Sequence, residues 1–306
     1  MSRNSFSLRI PRRVSRRLSL AGLAALAVVA LGASGGQAAD PFLAGQRSTR
    51  GVAATSLQAA RALDRGRLLL TALGVRAARH ETQRLEDRFD HRVVDEVTSF
   101  DATGRAVAVS QFDLDGSVAM SAALGWRQVN GPRADSAGAL QRALRYARSA
   151  GIVPDGRPDV RSSAGAGGWS VSWPRFVDGV PVRGDGVRIL LFADGSFHGL
   201  TRTERPLAAA PAVRLTRDAA RAAAEQSVAS RAGTKADDLR FAAVDLAWVA
   251  PTRSSSGVVL DAPDATLRLA WVVRFDASPA LVERLRAAEM WLDAGDGHEL
   301  GGDVIE

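Results

Sequence analysis

The sequence predicts an α+β protein built of tandem modules, each a helix packed on a curved antiparallel sheet. Three observations carry that prediction. A helical pattern with a polar cap occurs three times, the first two closed by a glycine, and each is followed by strand-like runs, in units of roughly 70 to 95 residues. The strand runs are short and joined by Asp-Gly or Thr-Gly pairs, which suit antiparallel neighbours. Helices segregated from antiparallel strands in this way are the mark of an α+β chain.

Residues 1–39 read as a signal peptide. A basic region ends at Arg17, Leu18 to Ala33 is apolar, and Gly36-Gln37-Ala38-Ala39 offers small residues for cleavage. Ser15-Arg16-Arg17-Leu18-Ser19-Leu20 partly resembles a twin-arginine signal, with Ser19 where that signal prefers an aromatic. Sec export, twin-arginine export and an uncleaved anchor all stay open. In each case the remainder is expected outside the cytoplasm, secreted or periplasmic, with no membrane span after signal cleavage.

Residues 40–54 lack periodicity and read as a linker. An N-terminal module then occupies 55–134. Thr55-Ser56 caps a helix through Leu57, Leu63, Leu69 and Leu73, stopped by Gly74, with Gly66 a point where it could break. Strands follow at Arg92 to Phe100, Ala106 to Ser110 and Val118 to Met120. A second module occupies 135–208. Asp135-Ser136 caps a helix that carries Leu140, Ala143, Leu144 and Ala147 on one face and ends at Gly151. Beyond a loop at Ser162 to Gly168 lies WPRFVDGVPVRGDGVRILLFADGSFHG, from Trp173 to Gly199. Asp178-Gly179 is suited to a primed hairpin turn because both residues tolerate positive φ. Pro181 lacks a ladder donor, which places Val180-Pro181-Val182 at an edge or a strand start. Val187 to Phe192 is the most strand-like run, and Asp194-Gly195 turns it into Ser196 to Leu200. The third module occupies 209–306. Thr216 caps a helix with Ala219, Ala220, Ala223 and Val228, strands follow around Phe241 to Val249, Thr266 to Phe275 and Glu289 to Leu292, and Leu281 to Ala287 reads as a short helix.

Composition removes several functions. With 46% hydrophobic and 24% charged residues the chain can bury a core. The absence of cysteine excludes disulfides, thiolate metal sites and a cysteine nucleophile. A net charge of +7 suggests a polyanion partner, yet six arginines (Arg3, Arg9, Arg12, Arg13, Arg16, Arg17) lie in the signal segment. Without them 34 basic residues face 33 acidic ones, a net of +1. The surface reads as solvated rather than as a nucleic-acid track.

The Gly-Val-Pro-Val, polar turn, apolar strand, Asp-Gly, strand pattern resembles the propeptide of secreted thermolysin- and fungalysin-type metallopeptidases. That region joins the fungalysin/thermolysin propeptide motif to a PepSY domain. Leu215-Thr216-Arg217-Asp218-Ala219-Ala220 is similar to the alanine-rich PepSY helix. Leu269 to Phe275 and Met290 to Gly297 resemble its last two strands. The resemblance covers about Trp169 to Glu306 and implies PepSY-like modules that bind a peptidase as chaperone or inhibitor, or act as envelope interaction domains. It implies a protein partner, a secreted metallopeptidase among the candidates, and no cofactor.

The peptidase's own chemistry is not in the sequence. His-Glu-x-x-His is absent, and His80, His91, His198 and His298 form no i, i+4 pair. Asp113-x-Asp115-Gly116 and Asp293-x-x-Asp296-Gly297-x-Glu299 echo calcium loops but lack the full ligand series, so turn chemistry accounts for them. His198 and His298 lack companion ligands at metal spacing. Gly32-Ala33-Ser34-Gly35-Gly36 matches a nucleophile elbow only inside the signal segment. The reading is a secreted non-enzymatic binding protein, with the contact at Asp178, Gly179, Val180, Pro181, Val182, Asp194 and Gly195 through a strand edge and turn tips. Two alternatives stay open: a cell-wall or glycan-binding module using Trp169 and Trp173, and a hydrolase with a dispersed acid pair.

Overall fold

Thr55 accepts a hydrogen bond from the Gln58 backbone N–H, while the Gln58 side chain accepts from the Thr55 N–H. This reciprocal cap opens α1 (Ser56–Ala72). The helix runs unbroken through Gly66, and packing explains the glycine. A Cβ at position 66 would lie 2.7 Å from Cγ1 of Val97, a fully buried side chain on the sheet. Asp135 caps α2 (Ser136–Ser149), and Thr216 caps α3 (Arg217–Ala232), which ends at left-handed Gly233.

The computed structural model describes residues 49–87, 92–124, 132–162, 168–233, 235, 239–253, 266–277 and 287–305. Outside them lie the expected signal peptide at 1–39, the first part of the 40–54 linker, His91, Trp126, the middle of the expected loop at 162–168 and all but the last residue of the helix expected at 281–287.

The strands are β1 (Thr49–Val52), β2 (Arg79–Asp87), β3 (Val93–Phe100), β4 (Ala106–Asp113), β5 (Val118–Ala123), β6 (Asp159–Ser162), β7 (Trp169–Val177), β8 (Val180–Leu191), β9 (Phe197–Thr203), β10 (Leu239–Val249), β11 (Arg268–Ala277), β12 (Ala287–Asp293) and β13 (Glu299–Ile305). They form one 13-stranded sheet in the order β1-β2-β3-β4-β5-β9-β8-β10-β11-β12-β13, with β7 on β8 and β6 on β7 beside that path. The named strands pair antiparallel except β8 with β10, which meet in a parallel bridge at Val182 and Trp248.

This overturns the expected tandem helix-on-sheet modules. The described residues form mostly one large mixed sheet carrying three helices. β5 bonds to β9 through Met120–Thr201, Ser121–Leu200 and Ala122–Gly199, so the expected first and second modules share a sheet. They also share a core: Ala62, Leu69 and Val97 cluster with Ala143, Val171 and Ile189. The physical reason is the edge. A short separate sheet would leave β5 and β9 with bare backbone donors and acceptors, and joining them satisfies both. Beneath α3 a second cluster unites Ala220, Ala224 and Val228 with Val244, Val273, Phe275 and Met290. Val182, Trp248, Leu267 and Leu269 fill the seam where β8 meets β10. Among the described residues no helix is long and apolar enough to cross a membrane.

Candidate functional site

The β7–β8 hairpin turns at Asp178, with φ 50, and Gly179, with φ 78. Both lie in the left-handed region that a primed turn requires, as the sequence predicts. Val177 pairs with Val180 and Phe176 with Pro181, and a register shift between Pro174 and Phe176 bends the ribbon just below its tip. Phe176 is 54% exposed there. Asp178 and Gly179 are exposed, and Val180 and Pro181 are half-buried. Pro181 is the second residue of its strand, where a missing donor costs little.

Val182 is different. Only 2% exposed, it is packed in the seam beside Trp248. The backbone edge expected at Val180 to Val182 is therefore met by β10 at its last residue. Asp194 and Gly195 lie at the far end of β8, about 35 Å from the tip at the rise of an extended strand. There the Asp194 carboxylate accepts from Ser196 N–H at 2.8 Å and Ser196 Oγ at 2.6 Å, and the Arg142 side chain lies across Gly195. The seven predicted residues thus divide into an exposed tip, a buried seam residue and a remote turn.

An ionic clamp that the sequence reading missed holds the hairpin. Asp185 has a fully buried side chain 3.2 Å from Arg175 Nη1 and 2.7 Å from Arg205 Nε, and it also accepts from the Arg205 backbone N–H at 2.7 Å. Arg205 Nη2 donates to the Arg183 carbonyl at 2.7 Å. The clamp ties β7 and β8 to the segment that leaves β9. From the sequence, Arg183-Gly184-Asp185-Gly186 reads as a polar turn, because the arginines that meet Asp185 lie 10 and 20 residues away along the chain.

A second polar cluster lines an open cleft with Pro211, Arg214 and Arg268. Asp293, Asp296 and His298 bring one potential ligand atom each to within 4.8 Å of one another. Some of their atoms are already engaged, while the buried His298 Nε2 meets no hydrogen-bond partner among the described residues. Asp293 Oδ1 accepts from Gly295 and Asp296 N–H, and His298 Nδ1 meets Asp296 Oδ1 at 2.5 Å. Arg268 Nη2 stands 3.1 Å from Asp293 Oδ2, too misaligned for a hydrogen bond but close enough to pair its charge where a cation would sit. The His298 N–H bond holds Asp296 below the usual carboxylate range. The other calcium-like sequence is a turn too: Asp113 pairs with Arg92 at 2.8 Å, and Asp115 accepts from Ser117 N–H. His80 contacts Ser99 Oγ at 2.8 Å, and burial pushes His198, stacked on Phe192, below its ordinary pKa.

Trp173 is 4% exposed, so it does not make an open aromatic pair with half-buried Trp169. Trp248 is buried in the seam, while Trp271 donates to the Leu215 carbonyl and Trp291 to Glu289.

No family model matches the chain, and no curated protein matches it. Among solved structures it is similar to the Bacillus megaterium YpeB C-terminal domain, at 11% sequence identity and a TM-score of 0.36, over 84% of this chain and 99% of that one. So distant a likeness carries no argument about function, and the propeptide resemblance rests on its own short motifs.

Proposed function

We propose that the chain is a non-enzymatic binding protein of the PepSY and propeptide type that works outside the cytoplasm and grips a protein partner with the β7–β8 hairpin tip. The observation that carries this reading is Phe176, a large aromatic left 54% exposed on a short, tightly turned ribbon. Solvent-facing Phe on a rigid tip is the kind of anchor that fills a partner's pocket at small entropic cost. Val180 and Pro181 flank it, and Asp178 and Gly179 offer backbone groups at the apex. A secreted thermolysin-type metallopeptidase is the partner that the motif resemblance favours.

The test mixes the exported protein with such a peptidase from the same organism and follows hydrolysis of a small fluorogenic peptide. Stoichiometric, lasting inhibition is expected. Phe176→Ser should weaken it at least tenfold while leaving the melting temperature within about 2 °C, since an exposed substitution changes stability little. Val182→Arg is the wrong probe, because it would force a charge into the seam. An enzyme that ignores the protein, or one equally inhibited by the Phe176 variant, would remove the peptidase or the tip from this reading respectively.

A further inference from the structure

We infer that the outer face of α2 is a docking surface for an anionic lipid surface. This helix contains three arginines and no acid. Ala139, Ala143, Tyr146 and Ala147 face the core, while Arg142, Arg145 and Arg148 recur every three residues along the exposed side. Among the described residues none of the three makes an ion pair; Arg145 lies over the Tyr146 ring, and the Arg142 stem packs across Gly195. The other helices set acids among their arginines: α1 has Asp64 among Arg61, Arg65 and Arg67, and α3 has Asp218 and Glu225 among Arg217, Arg221 and Arg231.

The loop beyond α2 extends the same character. Arg157 is exposed, and Asp155 is the only acid between Ser136 and Pro158. Val153, just past the helix end, is 88% exposed, more than any other large apolar side chain described. Four guanidinium groups against two carboxylates, Asp135 at the helix cap and Asp155 in the loop, with an exposed aliphatic side chain in the same loop, match the layered chemistry of a bilayer surface. The arginines meet headgroup phosphates, and the valine enters the boundary below them. A folded acidic protein is a poorer match. Protein interfaces place their apolar residues centrally inside a polar rim, whereas Val153 stands alone at the end of the stripe.

Protein purified after export would be mixed with vesicles of phosphatidylcholine alone or with phosphatidylglycerol, and binding read by sedimentation. Binding to the acidic vesicles only, abolished by high salt, is expected. Replacing Arg142, Arg145 and Arg148 together by Gln should weaken it about a hundredfold, and Arg145→Gln alone about fivefold. Val153→Ser should weaken it further without changing its salt dependence. Circular dichroism at matched temperature verifies that each variant is folded; should the triple variant fail to fold, the single variants decide. Wild-type protein that ignores acidic vesicles overturns the inference, as does binding untouched by the arginine changes. Binding to an acidic polypeptide but not to vesicles would assign the face to a protein partner instead.

Discussion

Gly66 is where the sheet comes so close to α1 that a side chain has no room. In an ordinary helix, alanine would be better than glycine by about 1 kcal/mol. Here it must displace Val97, whose β-branched side chain is buried and stiff. Gly66→Ala is expected to lower stability by about 1–3 kcal/mol in urea unfolding. A chain that also carries Val97→Ala should lose less than the two single changes sum to, since trimming the valine makes the room. At this scale the sequence was legible where the physics is local. Thr55, Asp135 and Thr216 each cap the helix that follows them, because a cap needs only the next three residues. The purpose of Gly66 was not legible, since the side chain that requires it sits on β3, a strand away.

The β7–β8 hairpin was the best-read element. Its Asp178-Gly179 turn sits where the residue types require, and Pro181 stands at the strand start. What its middle does depends on partners elsewhere. Val182 is buried by Trp248, and Asp185 is neutralised by Arg175 and Arg205, none of which any local pattern reveals. Asp185→Asn keeps the shape but leaves two guanidinium groups beside an uncharged amide. That change is expected to cost about 3–5 kcal/mol, the range for breaking a buried pair from one side. Thermal melts check it, and a loss below 1 kcal/mol would mean that solvent replaces the carboxylate at the clamp. Four strands escaped the sequence reading. β1 and β6 have four residues each, too few for alternation to register, β2 has Leu85 as its one aliphatic residue, and β13 contains Gly301 and Gly302, which depress any strand signal.

At the scale of the whole molecule, periodicity located helices and strands but not which edges would join. The β5–β9 pairing is a long-range choice made by exposed backbone, and it turned the expected modules into one sheet. The junction of β8 with β10 is slighter, with one parallel bridge and a cluster around Trp248. Trp248→Ala is expected to cost about 3–5 kcal/mol. It should also split one calorimetric transition into two, because the cluster beneath α3 is separate from the one beneath α1 and α2. A single sharp transition in that variant would show that the seam does not depend on the indole. The β5–β9 pairing also sets a timetable. Met120 meets Thr201, roughly eighty residues later, so in a chain emerging amino end first β5 waits with one edge unmade while all of α2 and the β7–β8 hairpin follow. Until β9 arrives, that edge can recruit any passing strand, and a chaperone that shields it briefly would raise the yield of folded protein more than one acting at either end.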